Sequence, residues 1–64
     1  MIEERKKNLE EAIEKEWQKG IVKNAWIDYD KSFKYLRNPT DEQYKEYYEM
    51  FFLFNDYMKK REKV

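Results

Sequence analysis

Sixty-four residues carrying fourteen basic and fourteen acidic side chains make one small domain at most, and a net charge of zero gives no pull towards nucleic acid or an anionic membrane. Cysteine and histidine are both absent, which excludes disulfides, thiolate zinc sites and the commonest metal ligand and general base. Charged residues are 44% of the chain and aromatic residues 19%, and so many rings argue against a disordered tail.

The only strong helix breakers, Gly20 and Pro39, cut the chain into three comparable pieces. In the first, Ile2, Leu9, Ala12, Ile13 and Trp17 share one side of a 3.6-residue helix, which the pattern extends over about residues 2–19. Glu3 and Glu4 open it and Lys19 closes it, matching the helix dipole, and Gly20 stands where a left-handed C-cap belongs.

The second piece spaces Val22, Trp26, Tyr29, Phe33 and Leu36 by 4, 3, 4 and 3 residues, one helical face over about 22–37. The competing hairpin, "WIDYDKSFKYL", has the β-branched and aromatic residues of strands but no Gly or Asn turn.

The third piece begins "NPTDEQ". Pro39 disfavours helix at Asn38, and Thr40 with Gln43 forms a capping box, so a helix of about 40–62 starts here. Asp41 and Glu42 occupy its first turn; Lys59, Lys60, Arg61 and Lys63 occupy its last. Acid-to-lysine pairs four residues apart (Glu3–Lys7, Glu11–Lys15, Asp30–Lys34, Asp41–Lys45, Asp56–Lys60) support all three helices by a few tenths of a kcal/mol each, about 0.2–0.5. Three helices with two short connections imply an all-α, up-down-up antiparallel three-helix bundle over residues 1–64.

The third helix has more apolar residues than one core needs: nine of the thirteen in "EYYEMFFLFNDYM" are apolar or aromatic. Tyr44, Tyr47, Tyr48, Phe51, Phe54 and Met58 fall in one sector centred on Phe51, the expected core face, with Phe52 sealing its edge. Met50, Leu53 and Tyr57 then form an outer stripe. Ile27 and Tyr35 point away from the core stripe of the second helix, and Ile27 lies level with residue 51 across the hairpin. Together these five make a candidate protein-binding patch, with Tyr57 as its anchor, because tyrosine is enriched at interface hot spots.

Chemistry is not visible. Asp28 and Asp30 diverge on a helix, while Glu10 with Glu14 and Glu42 with Glu46 have nothing to desolvate them. Ser32 and Thr40 lack a base, and a single glycine cannot make a phosphate loop. The sequence therefore points away from an enzyme, a metal site, a cofactor or a small-molecule substrate. No apolar run resembles a signal peptide or a membrane span, so a soluble protein of cytoplasmic expression is expected.

With no cysteine or histidine, Gly20 as a stop and "PTDEQ" as a start, the chain resembles de novo designed three-helix miniproteins, including those made as binders. Three leucines, two alanines and six tyrosines depart from that style, and the Lys/Glu/Tyr bias also fits a natural protein of a hot-living organism. The expected function is a non-enzymatic protein-binding module that works through Met50, Leu53 and Tyr57, with Ile27 and Tyr35 beside them. Self-association through the same stripe is the alternative, in which case the partner is a homodimer mate. A helix-turn-helix DNA reader is a weaker one, since the helix entering the groove would begin with acids.

Overall fold

The structure is a computed structural model that describes residues 2–62. Three helices run over Ile2–Glu14 (α1), Lys19–Lys34 (α2) and Asp41–Glu62 (α3), and every pair of them is in contact. Ring pairs fix the direction of α3 along α2: Phe33 meets Tyr44 and Tyr47, while Trp26 meets Phe51 and Phe54, so the two helices are antiparallel. Lys6 pairs with Glu46 near one end, and Trp17 meets Tyr57 near the other, so α1 and α3 are parallel. The fold is an up-down-up three-helix bundle, as the sequence implies.

Both connections differ from their expected form in instructive ways. The first helix stops at Glu14, not near residue 19, in a Schellman turn. The Trp17 N–H donates to the Ala12 carbonyl at 3.0 Å and the Glu16 N–H to the Ile13 carbonyl at 3.1 Å. The left-handed residue that this turn requires is Glu16, at φ 53°, and not Gly20. A non-glycine residue pays roughly 1–2 kcal/mol to sit there, and bonding of the turn to α3 (below) offsets part of that. Gly20 lies instead in the first turn of α2, with open space where a Cβ would project. That helix begins behind Gln18, whose side chain caps nothing while its carbonyl accepts from the N–H groups of Ile21 and Val22. It is therefore displaced by three residues from the expected 22–37.

The start of α3 is the expected one. The Thr40 N–H donates to Gln43 Oε1 at 2.9 Å, and the Gln43 N–H donates to Thr40 Oγ1 at 3.1 Å, a complete capping box. Asp41 and Glu42 fill its first turn and Lys59, Lys60 and Arg61 its last; Lys63 lies outside the described residues. Of the charge pairs along the helices, Glu11–Lys15 (3.2 Å) and Asp30–Lys34 (3.1 Å) are formed.

The core is small. Leu9 and Ala12 of α1, Val22 and Tyr29 of α2, and Met50 and Tyr57 of α3 are buried, with Ile2, Ile13, Ala25, Trp26, Tyr47, Phe54 and Met58 packed around them. The α1 and α2 stripes follow the expected spacing, except that Trp17 is exposed at the turn and Leu36 lies beyond the end of α2. The α3 stripe is not the expected one, and that difference defines the molecule's surface.

Candidate interaction surface

Because α3 advances about 100° per residue, its side chains can be placed in order around its circumference. Starting on the α1 side, the order is Leu53, Glu46, Tyr57, Met50, Phe54, Tyr47, Phe51, Tyr44, Tyr48, Phe52. Burial follows the same order: Leu53 is exposed, Glu46 through Tyr47 are buried or half-buried, and the last four are exposed. The inner face is therefore centred between Met50 and Phe54, on the groove between α1 and α2, and not on Phe51.

Polar contacts fix this rotation at three levels. Near the start of α3, Lys6 Nζ of α1 pairs with Glu46 at 3.4 Å. Midway, the Tyr47 hydroxyl donates to Asp30 Oδ1 at 2.5 Å, while the other oxygen of Asp30 holds Lys34. Near its end, the Tyr57 hydroxyl donates to the Trp17 carbonyl, tying α3 to the α1–α2 turn, and Arg61 covers the Tyr57 ring with 5.6 Å to its centroid. Burial, helped by the carboxylates of Glu46 and Glu10, pushes the Tyr29 hydroxyl up to about 12. Burial and the bond to Asp30 push Tyr47 up to about 12. Both tyrosines are thus held in the neutral form, chiefly by burial.

Two of the five residues expected on the binding patch are thus placed inside the fold: Met50 is 2% exposed and Tyr57 7%. The correction has a physical origin. A third helix must face both of its neighbours, so its core stripe points at the groove between them, and Met50 with Tyr57 is the pair that reaches into it. Ile27, Tyr35 and Leu53 are exposed as expected, but they do not gather. Ile27 lies on the flank of α2 turned towards α3, Tyr35 on its α1 flank, and Leu53 on the α1 flank of α3.

What gathers instead is a ring surface that spacing alone assigned to the core. Tyr44, Tyr48, Phe51 and Phe52 are 44%, 56%, 41% and 64% exposed on contiguous positions of α3. Phe51 and Phe52 meet edge to face at 5.8 Å, as do Tyr47 and Tyr48 at the same distance. Trp26 stacks on Phe54 at 5.1 Å and reaches Phe51 at 5.8 Å, and Phe33 stacks on Tyr47 at 4.2 Å. The exposed rings are therefore backed by the α2–α3 seam and share its rigidity. A clue in the sequence was available: residues 41, 45, 48, 52, 55 and 59 are spaced 4, 3, 4, 3 and 4, a second helical seam on the side of α3 away from Met50 and Phe54.

Elsewhere the surface is less specific. The groove between α1 and α3 is lined by lysines and glutamates of α1 with Glu46, a mixture that selects no ligand charge. A shallow depression at the first turn exposes Trp17 and Ile21. Ser32 donates to the Asp28 carbonyl within its own helix. Among the described residues no group of His, Cys, Asp and Glu could hold a metal ion, and no helix is long and apolar enough to cross a membrane. No family model, curated protein or solved structure matches the chain.

Proposed function

We propose that this chain is a non-enzymatic protein-binding module that works through the outer face of α3. The observation that carries the reading is the contiguous exposure of Tyr44, Tyr48, Phe51 and Phe52 on a body whose described residues include six buried side chains. Scattered exposed apolar residues are ordinary, but a clustered set of rings on a rigid helix is the usual anatomy of an interface core. Aromatic side chains give a large contact area with few rotatable bonds to freeze, so they anchor interfaces at low entropic cost. Ile27 extends this surface from α2; Tyr35 and Leu53 stand apart from it. A groove-reading DNA helix fits less well, since Asp41, Glu42 and Glu46 occupy the first turns of α3. The likeness to designed three-helix binders agrees with this use of a single helix face.

The test is a photoreactive side chain placed at position 52, with one at position 24, on the far side of α2, as the control. Protein adducts formed from position 52 and not from 24 are expected in cells expressing the chain. Equal adducts from the two positions, or none from 52, would remove the reading.

A further inference from the structure

The rings of α3 are bordered by charges whose order along the helix suits one occupant in particular. The outermost row is Asp41, Lys45, Tyr48, Phe52, Asn55 and Lys59, and all six are exposed. Its spacing of 4, 3, 4, 3 and 4 keeps the row in register with a facing helix, as in a coiled-coil seam. The row is also matched to its own reverse. An antiparallel copy centred between Tyr48 and Phe52 places 48 opposite 52, 45 opposite 55, and 41 opposite 59, because each pair sums to 100.

We infer that the outer face of α3 binds a second copy of this chain, antiparallel, in a two-fold symmetric dimer. The inference rests on the proposed binding role of that face. In this pairing Tyr48 and Phe52 of each protomer pack against Phe52 and Tyr48 of its partner. Asp41 meets the partner's Lys59 at both ends of the seam. On one flank Lys45 comes level, within one residue, with the partner's Asp56. On the other flank the two Phe51 rings approach each other across the symmetry axis, beside Trp26. Asp41, Lys45, Asp56 and Lys59 thereby each face an opposite sign or a neutral residue. The two exposed Glu49 side chains approach each other on the Lys45 flank, where Lys45 of the same helix, four residues back, offsets their repulsion.

A parallel pair would do the reverse, setting Asp41 against Asp41, Lys45 against Lys45 and Lys59 against Lys59. The charges therefore choose orientation and register, which is what interfacial charges do best, while the rings supply the contact. Isologous contact is also the commonest way in which a chain meets itself. Scale permits it: a 22-residue helix is about 33 Å long. A standard interface asks about 800 Å² of each partner, a modest part of the 5283 Å² that the monomer exposes.

The absence of cysteine gives a clean test on the full chain. Sedimentation equilibrium from micromolar to millimolar concentration should show a monomer passing to a dimer. An equimolar mixture of Lys45→Cys and Asn55→Cys chains, oxidised mildly, should give mostly mixed disulfides, with little cross-linking in either chain alone. Phe52→Asp should weaken the dimer at least tenfold. A chain still monomeric at millimolar concentration, or efficient cross-linking of Lys45→Cys with itself, overturns the antiparallel dimer. Photo-adducts from position 52 to another protein, with a chain monomeric throughout, would overturn the second copy and leave the binding face standing. A dimer indifferent to Phe52→Asp would overturn the second copy on this face, and an absence of photo-adducts from position 52 would overturn the binding role as well.

Discussion

The inner and outer faces of α3 carry the same kinds of residue and do different work. Tyr47, Met50, Phe54 and Tyr57 face inwards, whereas Tyr44, Tyr48, Phe51 and Phe52 face outwards, with three of the first set and all four of the second aromatic. Composition does not separate them. Polar partners do: Asp30 and the Trp17 carbonyl accept the inner hydroxyls, and the Lys6–Glu46 pair marks the inner boundary towards α1. A helix with apolar residues around most of its circumference can in principle rotate on its neighbours. Here a few directional bonds pick one rotation, and the rings left over become surface.

The strongest challenge to that division is truncation of the inner face. Met50→Ala should destabilise the protein by about 2–5 kcal/mol, the usual cost of emptying a buried methionine site. A domain of this size has little stability to lose, so the variant is expected to be largely unfolded at room temperature. Phe51→Ala, one residue away and 41% exposed, should cost clearly less. Urea melts of the two side by side decide the matter. If Phe51→Ala were the more damaging, the core would be centred where the apolar sector is centred, and the rotation described above would be wrong.

Alkaline pH probes the inner face without mutation. The folded state holds the Tyr29 hydroxyl near 12 against about 10 for a free tyrosine, chiefly by burial. A folded pKa above the unfolded one means that the native state keeps its proton longer. Stability from this source is complete below pH 10 and is lost as pH rises from 10 through 12. Two units at one buried group correspond to about 2–3 kcal/mol, and Tyr47 acts in the same direction. Circular dichroism should therefore show unfolding that sets in above pH 10. Tyr29→Phe should flatten the decline over that interval, and an unchanged pH profile in that variant would mean that Tyr29 is not held neutral by the fold.

Next in size is the bond that ties α3 to the first turn. Tyr57→Phe keeps the ring under Arg61 but leaves the Trp17 carbonyl without its donor. A cost of about 1–2 kcal/mol follows, the range for a partly buried acceptor that loses its partner. Because Trp17 adjoins the left-handed Glu16, the loss should also loosen the Schellman turn. Faster amide exchange at Glu16 and Trp17, out of proportion to the rest of the chain, is the signature. Uniform acceleration would show only a general loss of stability.

These contrasts also mark what could be read from the sequence. The class, the up-down-up order and the stripes of α1 and α2 follow from spacing, because each of those helices has one apolar face. Thr40 and Gln43 announce the start of α3 because a capping box is a local device that needs nothing else from the fold. The first turn was not legible in the same way. Gly20 is the obvious left-handed residue, yet Glu16 takes that conformation, since the α1–α2 packing and the Tyr57 bond decide where the chain must reverse. The binding face was half legible. An excess of apolar residues on α3 showed that some must lie outside, and Ile27, expected to point away from the core stripe of α2, is exposed. Which stripe lay outside depended on where α1 and α2 sit around α3, and spacing within one helix holds no record of that. Met50 and Tyr57 were exchanged with Phe51 and Tyr48 for that reason alone.

The smallest expected effect gives the sharpest statement about the outer face. Phe52→Ser removes the most exposed ring of the four, at 64%, and one edge contact with Phe51. Phenylalanine and serine have similar helix propensities, so the backbone should register little change. Substitutions at such surface positions usually stay within about 0.5 kcal/mol. The prediction is a urea midpoint within error of the parent when both are measured dilute enough to be monomeric. At high concentration the two should part, the parent gaining stability from association and the variant gaining none, because only the folded form binds. A variant that is already less stable than the parent in dilute solution, by an amount near that of Met50→Ala, would place Phe52 in the core. Phe52 would then have an inside partner, α3 would have no free face, and the surface on which the binding role rests would not exist.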